Sequence, residues 1–284
     1  MITVEDRQAV VAAIQRALAE DIGPGDVTSE WVLGPELQAT GRFLVKEPGV
    51  IAGLEVAEEV FRQVEPTVRF RAAVVDGVPV QAGQIVAWVE GPAIALLSAE
   101  RTALNFLQRM SGIATRARRF VEAVQGTGAI ILDTRKTAPG LRLLDKMAVR
   151  LGGASNHRFG LFDMVLIKDN HIAAAGGITA AVRRAQAHND QGLPIEVEVT
   201  DLEQLEEALA LGVHRILLDN MDVATLRRAV ALTGRRALLE ASGGISLENV
   251  AEVAATGVDY ISVGSLTHSV RALDISLDIE TGST

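Results

Sequence analysis

Nine cationic or titratable side chains crowd the stretch from Asp133 to His171: Arg135, Lys136, Arg142, Lys146, Arg150, His157, Arg158, Lys168 and His171. They surround two apolar runs, 129–133 and 164–168, that read as buried strands. Cations gathered at strand ends make a site for an anion. The wider window from Arg101 to Lys168 holds 12 Lys and Arg against 4 acids, a local charge of +8 inside a chain whose total is -9. Charge segregated to this degree marks a place where a negatively charged partner is held.

The cations do not all read alike. Arg142, Lys146 and Arg150 recur every four residues opposite a stripe of Leu144, Met147, Ala148 and Leu151, which predicts a helix with those three on its solvated face. Arg135, Lys136, Arg158 and Lys168 sit at or beside strand ends, where side chains converge. A guanidinium grips a carboxylate with a two-pronged hydrogen bond, and several such groups together match a dianion. His157, beside Arg158, is a further donor to the same ligand.

Two glycine turns follow late strands, at Ser242-Gly243-Gly244 and at Val263-Gly264-Ser265. Glycine exposes backbone N–H groups, a helix N-terminus adds a favourable field, and the last strand-to-helix loops of α/β barrels commonly bind phosphate that way. His268 lies close enough in sequence to add a donor. Glu198 and Asp219 close the middle strands. With phosphate nearby, these carboxylates suit magnesium, which takes oxygen ligands and shares them with phosphate, or else ribose hydroxyls. The histidines offer no closely spaced ligand pair, which argues against a protein-caged transition metal.

The elements that must position these groups have a clear rhythm. Residues 3–19 carry Val4, Val11, Ile14 and Leu18 at helical spacing, with Thr3 as a candidate N-cap. Short β-branched runs at 40–45, 68–75 and 85–89, separated by Gly and Pro turns, predict a small β-rich domain. Within it, the run from Asp76 to Gly91 resembles the sandwich strands of biotinyl and lipoyl carrier domains. No lysine stands in a hairpin turn there, so the carrier function fails and a sandwich with tight turns remains. Residues 96–124 predict a long helix, interrupted at Ser111-Gly112. From residue 129 onward strand and helix alternate, with strands at 129–133, 164–168, 195–199, 215–219, 237–241 and 260–263, and helices at 202–211, 223–233 and 247–256. Six strands with crossover helices make a parallel sheet, doubly wound or barrel-like. Polar groups at nearly every strand end favour the barrel, because its C-terminal ends all face one site.

The composition sets the outer bounds. A length of 284 residues with 48% hydrophobic content and 26 glycines fits a globular α/β protein of one large or two modest domains. The start of the chain is polar and acidic, unlike a secretory signal, and no apolar run approaches the roughly 18 residues that span a bilayer. Absence of cysteine excludes disulfides, thiolate nucleophiles and cysteine-type zinc sites, and agrees with a reducing cytoplasm. The acidic total argues against nucleic acid as a partner.

The runs DIGPGDVTS (21–29), ERTALNFLQRMSGIAT (100–115), DTRKTAPG (133–140), GGASNHR (152–158), LIKDNHI (166–172) and EASGGI (240–245) resemble the quinolinate phosphoribosyltransferases, in order and over nearly the whole chain. The resemblance implies an N-terminal α/β sandwich domain over residues 1–112, joined by the tail 270–284, and an incomplete TIM-like α/β barrel over 113–269. It implies a homodimer or hexamer with a shared active site, a need for Mg2+, and two small-molecule substrates, quinolinate and phosphoribosyl pyrophosphate, with neither nucleic acid nor membrane as a partner. By the same resemblance Arg101, supplied by a neighbouring subunit, would surround quinolinate with Arg135, His157, Arg158 and Lys168, Lys136 would lie between quinolinate and pyrophosphate, and Thr134 would be a further substrate-binding residue. Glu198 and Asp219 would address ribose and magnesium and, with Lys136, form the catalytic set. Ser242, Gly243, Gly264 and Ser265 would hold the 5-phosphate, and Gly244, Val263 and His268 would be further substrate-binding residues. Two rivals stand beside this reading: a paralogue of the same fold, associated with molybdenum transport genes and acting on another acid, and a non-catalytic sensor of phosphate ligands.

Overall fold

The structure, a computed structural model, describes residues 4–281. Thr3, the candidate N-cap, lies outside the described residues. In chain order the elements begin with α1 (Val4–Asp21), α2 (Val27–Val32), β1 (Gln38–Val45), β2 (Gly49–Val50), α3 (Leu54–Val64), β3 (Arg69–Ala72), β4 (Pro79–Val80), β5 (Ile85–Pro92) and α4 (Ala93–Ala123). They continue with β6 (Ile130–Leu132), α5 (Arg142–Leu151), β7 (Val165–Ile167), α6 (Asp169–Ala175), α7 (Ile178–Ala187), β8 (Ile195–Val199) and α8 (Leu202–Ala210). The last are β9 (Arg215–Asp219), α9 (Val223–Thr233), β10 (Leu238–Ser242), α10 (Val250–Ala254), β11 (Tyr260–Ser262), α11 (Ser265–His268) and β12 (Ile275–Thr281).

The chain divides into two compact units, one formed by Met1–Arg118, Thr137–Gly153 and Ser269–Thr284, the other by Arg119–Lys136 and Ala154–His268. The segment 137–153, read from sequence as part of the barrel domain, therefore clusters with the first unit. In that unit an antiparallel sheet of order β12-β1-β5-β3 packs its apolar side against helices. Phe43 of β1, Phe61 of α3 and Phe70 of β3 meet with ring centroids 5.7 to 6.3 Å apart, which ties sheet to helix. In the run from Asp76 to Gly91, expected to be sandwich strands with tight turns, β4 pairs with β2 while β5 lies between β1 and β3, so its strands enter two sheets.

Two further expectations fail here for identifiable reasons. The helix α4 runs unbroken through Ser111 and Gly112. Ser111 is fully buried, its hydroxyl accepting from the Ala52 amide at 2.9 Å and donating to the Ala52 carbonyl at 3.2 Å. A Cβ on Gly112 would overlap the Arg271 carbonyl. The pair is small because backbone passes close by on both sides, so it serves packing and does not stop the helix. The solvated-face reading of α5 fails at Lys146, which is 1% exposed, within a buried run from Leu144 to Val149. Arg150 is exposed, while the Arg142 Nε donates to Thr137 Oγ1 at 3.1 Å. The helix is enclosed on most of its circumference. Asp145, wholly buried beside Lys146, takes both prongs of Arg109 at 2.9 and 2.8 Å and the Ala138 amide at 3.0 Å.

The second unit is a six-stranded parallel sheet of order β6-β11-β10-β9-β8-β7. Each strand from β7 to β11 neighbours the next, and β11 returns to pair with β6. That is the circular order of a barrel left open between β6 and β7. On the open side Ser155 makes a lone parallel bridge to Leu132. Helices begin on side-chain caps: Asp201 accepts from the Gln204 amide at 2.8 Å at the start of α8, and Asp222 from the Thr225 amide at 2.7 Å at the start of α9. No described helix is long and apolar enough to cross a membrane.

Candidate active site

Alternation along parallel strands sends every second side chain to the same face, so Glu196 and Glu198 project together from β8, as do Leu217 and Asp219 from β9 and Glu240 and Ser242 from β10. Their neighbours Val197, Val199, Leu218 and Ala241 are buried on the opposite face. The upper members open into a cavity of about 730 Å³ lined by Thr134, Arg135, Lys136, His157, Arg158, Lys168, Glu198, Asp219, Ser242, Gly243, Gly244, Gly264 and His268. Leu166, Leu217, Asn220, Glu240, Ile245 and Ser262 complete the wall.

Thus most of the residues singled out in sequence meet in one place. Of those in the second unit, two do not line the cavity: Val263 is 1% exposed and part of the core beneath, and Ser265 opens α11 outside the lining. Arg101 belongs to α4 of the first unit and is exposed. His171, counted among the cations of the stretch, accepts the Lys168 amide through Nδ1 at 3.0 Å and so closes the first turn of α6.

The cationic half of the wall is crowded. Burial, and next the neighbouring Arg135, press the Arg158 guanidinium below its usual range. Its Nη1 donates to the Met164 carbonyl at 3.1 Å, while Nε is buried without a hydrogen-bond acceptor among the described residues. Two guanidiniums brought together in a half-buried wall are stabilised by a ligand that carries negative charge. On the other half, Lys168 Nζ reaches Glu198 Oε2 at 2.6 Å, so the strand-end cation and carboxylate that sequence reading assigned separately are direct partners. Asp219 receives the Asn220 side-chain amide at 2.8 Å.

The glycine turn after β10 is built around Asn220. Gly243 has φ +91°, and a Cβ there would overlap Asn220 Oδ1 and come within 3.0 Å of the Asn220 amide nitrogen. That amide donates to the Ser242 carbonyl at 2.9 Å. Close backbone approach, together with the positive φ, is why glycine stands at 243.

The cavity floor carries a network that sequence reading missed. His157 Nε2 is 3.0 Å from Glu196 Oε2 and 3.4 Å from Glu240 Oε2, and both carboxylates are wholly buried. Arg215 Nη1 donates to Glu240 Oε2 at 3.0 Å, and its guanidinium carbon stacks 4.2 Å above the Tyr260 ring. Ser262 also hydrogen-bonds Glu240. Burial opposes the Glu240 charge, but the bond from His157, its field, and the contacts with Ser262 and Arg215 outweigh it and hold that carboxyl below the usual range. Glu196 moves the other way, raised chiefly by burial. Burial likewise opposes charge on His157, but the bonds to Glu196 and Glu240 prevail and push it up to about 9.

On the other side of the ring, Nδ1 accepts the Arg158 amide at 2.7 Å, so Nε2 is the nitrogen that faces the two carboxylates, and the three groups titrate together. The histidine and two glutamates have the spacing of metal ligands, but Arg215 already supplies the cation that Glu240 requires. The signal for Glu196 was present in the run Ile195-Glu196-Val197-Glu198-Val199, where two acids share the inward face of a buried strand.

Residues 26–111 and 113–278 match the family descriptions "Quinolinate phosphoribosyl transferase, N-terminal domain" and "Quinolinate phosphoribosyl transferase, C-terminal domain". The chain belongs to the quinolinate phosphoribosyltransferase family. Similar relatives include the nicotinate-nucleotide pyrophosphorylase (carboxylating) of Mycobacterium leprae, 51% identical over 94% of this chain and 95% of the relative. The probable enzyme of the same name from Bacillus subtilis is 46% identical over 92% of this chain and 90% of its own length. Among solved structures, the nicotinate-nucleotide pyrophosphorylase of Francisella tularensis superposes with a TM-score of 0.93 at 38% identity, covering 98% of both chains. The α/β fold with a small antiparallel sheet and an incomplete barrel is thus that of the family, and the chain is a transferase of its phosphoribosyl-transferring, decarboxylating type.

Proposed function

We propose that this cavity transfers the phosphoribosyl group of phosphoribosyl pyrophosphate to the ring nitrogen of quinolinate, with loss of one carboxylate. The products are nicotinate mononucleotide, pyrophosphate and carbon dioxide, a step of de novo NAD synthesis. The observation that carries the reading is the juxtaposition of Arg135, Arg158 and Lys168 with Glu198, Asp219 and the Gly243 turn around one cavity. A dicarboxylate, a ribose and a phosphate each find the chemistry they need there.

Arg135 and Arg158 would grip the quinolinate carboxylates and fix the ring nitrogen towards the anomeric carbon. Lys168 would join them, a substrate carboxylate competing with Glu198 for its ammonium. As the bond to pyrophosphate lengthens, positive charge builds on the ribose ring, and Glu198 and Asp219 stabilise it by standing preorganised nearby. Lys136, exposed at the rim, would take up the negative charge of the leaving group. The attack quaternises the pyridine nitrogen, so the electrons of the bond to the adjacent carboxylate flow into the ring as carbon dioxide departs. Protonation of that carbon completes the product, and no side-chain nucleophile is needed.

The donor set fits magnesium, since Glu198 and Asp219 present only hard oxygen ligands. Lys168 and Asn220 already occupy part of their capacity, so the ion would be held mainly through substrate phosphates, where it supplies charge neutralisation for the departing pyrophosphate. Ser242, Gly243 and Gly244 would hold the 5-phosphate, with His268 at its edge. Arg101, exposed on α4, would complete the quinolinate pocket of a neighbouring subunit in a homodimer or larger ring. The cysteine-free composition favours a cytoplasmic setting.

The test is pyrophosphate release by the purified chain with magnesium and phosphoribosyl pyrophosphate, with quinolinate or nicotinate as acceptor. Release with quinolinate alone is the expected result. Turnover with nicotinate but not quinolinate, or binding of both substrates without turnover, would overturn the proposal in favour of another acid or of a sensor.

A further inference from the structure

His157 lines the cavity, yet both of its ring nitrogens are engaged by the protein, Nε2 by the buried carboxylates of Glu196 and Glu240 and Nδ1 by the Arg158 amide. Its side chain is only 7% exposed. The residue is thus poorly placed to donate to a substrate and well placed to hold its neighbour. We propose that Glu196 and Glu240 are positioning residues for the acceptor substrate, acting through His157 to set the backbone and the approach of Arg158.

Three independent ties converge on this turn from beneath. Asp133, wholly buried at the end of β6, accepts the His157 amide at 2.8 Å and the Asn156 side chain at 2.7 Å, which fixes where the turn begins. Glu196 from β8 and Glu240 from β10 then fix the rotation of the imidazole, since Nε2 lies within reach of both. Arg215, held by its stacking on Tyr260, keeps Glu240 in place. With the ring locked, its Nδ1 lone pair can accept only from one direction, and the Arg158 amide meets it there. The Arg158 side chain is caught at its far end by the Met164 carbonyl. A guanidinium anchored at both ends loses little freedom when it takes a carboxylate, which is what a preorganised binding group requires.

A hydrogen-bonded positioning role makes a specific demand: residue 196 must accept from Nε2, but it need not be charged. Glutamine meets that demand and leucine does not. The inference rests on the reading of Arg158 as a carboxylate-binding group, and the experiment separates the two. Quinolinate and phosphoribosyl pyrophosphate KM and kcat would be measured for the full chain and for Glu196→Gln, Glu196→Leu, Glu240→Gln and Arg158→Met, with quinolinate binding followed by calorimetry and folding by circular dichroism. Glu196→Gln should stay within about threefold of the parent, while Glu196→Leu should raise the quinolinate KM and Kd roughly tenfold, as expected when a buried donor loses its nearer acceptor and the ring turns towards Glu240 alone. The phosphoribosyl pyrophosphate KM should move less than about twofold, because the phosphate turn is not part of the network.

Normal quinolinate affinity in folded Glu196→Leu, or equal damage in Glu196→Gln and Glu196→Leu, would overturn the positioning role. An equal rise in both KM values would also overturn it, as the mark of a general structural defect. Should Glu196→Leu fail to fold, Glu196→Ala, which likewise removes the nearer acceptor, decides by the same split between substrates. If Arg158→Met binds quinolinate normally, the functional reading of Arg158 fails instead. Lost binding in Arg158→Met alongside normal binding in Glu196→Leu would refute the positioning role alone.

Discussion

Replacing Gly243 by alanine is the sharpest single perturbation of the turn assigned to the 5-phosphate. Its φ of +91° is costly for any residue with a Cβ, by about 1–2 kcal/mol. The new methyl would also overlap Asn220 Oδ1. Asn220 must then rotate away, which breaks its 2.8 Å bond to Asp219 and costs about 1 kcal/mol more. The sum is about 2–3 kcal/mol, equivalent to a fall in melting temperature of about 4–10 °C for a chain of this size. Gly244→Ala is the internal control: at φ +62° with open space around its Cβ, it carries the backbone strain and no collision. Differential scanning calorimetry would give the stabilities and steady-state kinetics the donor KM, which should rise for Gly243→Ala because the turn and Asp219 shift together. If Gly243→Ala is no less stable than Gly244→Ala, the collision with Asn220 is not felt and the reasoning is wrong.

Two further outcomes concern buried charge. Asp145→Ala leaves Arg109 and the Ala138 amide without their shared acceptor and should cost about 3 kcal/mol in urea denaturation; a loss under about 0.5 kcal/mol would show that solvent replaces the carboxylate at no cost. The His157 imidazole, held charged by Glu196 and Glu240 against the cost of burial, is pushed up to about 9 from 6.5 for an ordinary histidine. Its stabilising contribution is therefore complete below pH 6.5, shrinks as pH rises between those values and is gone above about 9. Melting temperatures between pH 6 and 10 should fall accordingly, and Glu196→Gln, which removes one of the two carboxylates that raise His157, should flatten that decline.

Much of the second unit is legible in the sequence. Strand and helix periods differ enough to separate, and in a parallel barrel the strand ends are where polar residues must gather, so Lys168, Glu198, Asp219 and Ser242 could be assembled by rule. The pairing of Lys168 with Glu198 could not, because nothing in a sequence measures the distance between the ends of neighbouring strands. The engagement of His157 from below was hidden for the same reason: Glu196 and Glu240 lie 39 and 83 positions away along the chain. Lys146 and Ser111-Gly112 were misread because local rules treat a lysine as solvated and a Ser-Gly pair as a break. In both cases packing from distant segments overrode the local preference, burying the one and requiring the smallness of the other.

The pairing of β12 with β1, in register from Ala39 against Thr281 to Val45 against Ile275, bears on how the molecule is made. A ribosome delivers β1 early, and every residue of the second unit is synthesised before β12 arrives. Through that interval one side of β1 is an uncovered edge with apolar Phe43 and Val45 beside it, a template that any passing extended segment could join. Chains that terminate prematurely before residue 275 would keep that edge for good. They should collect in aggregates even though their active-site strands are complete, so quality control of this enzyme turns on a strand that performs no chemistry.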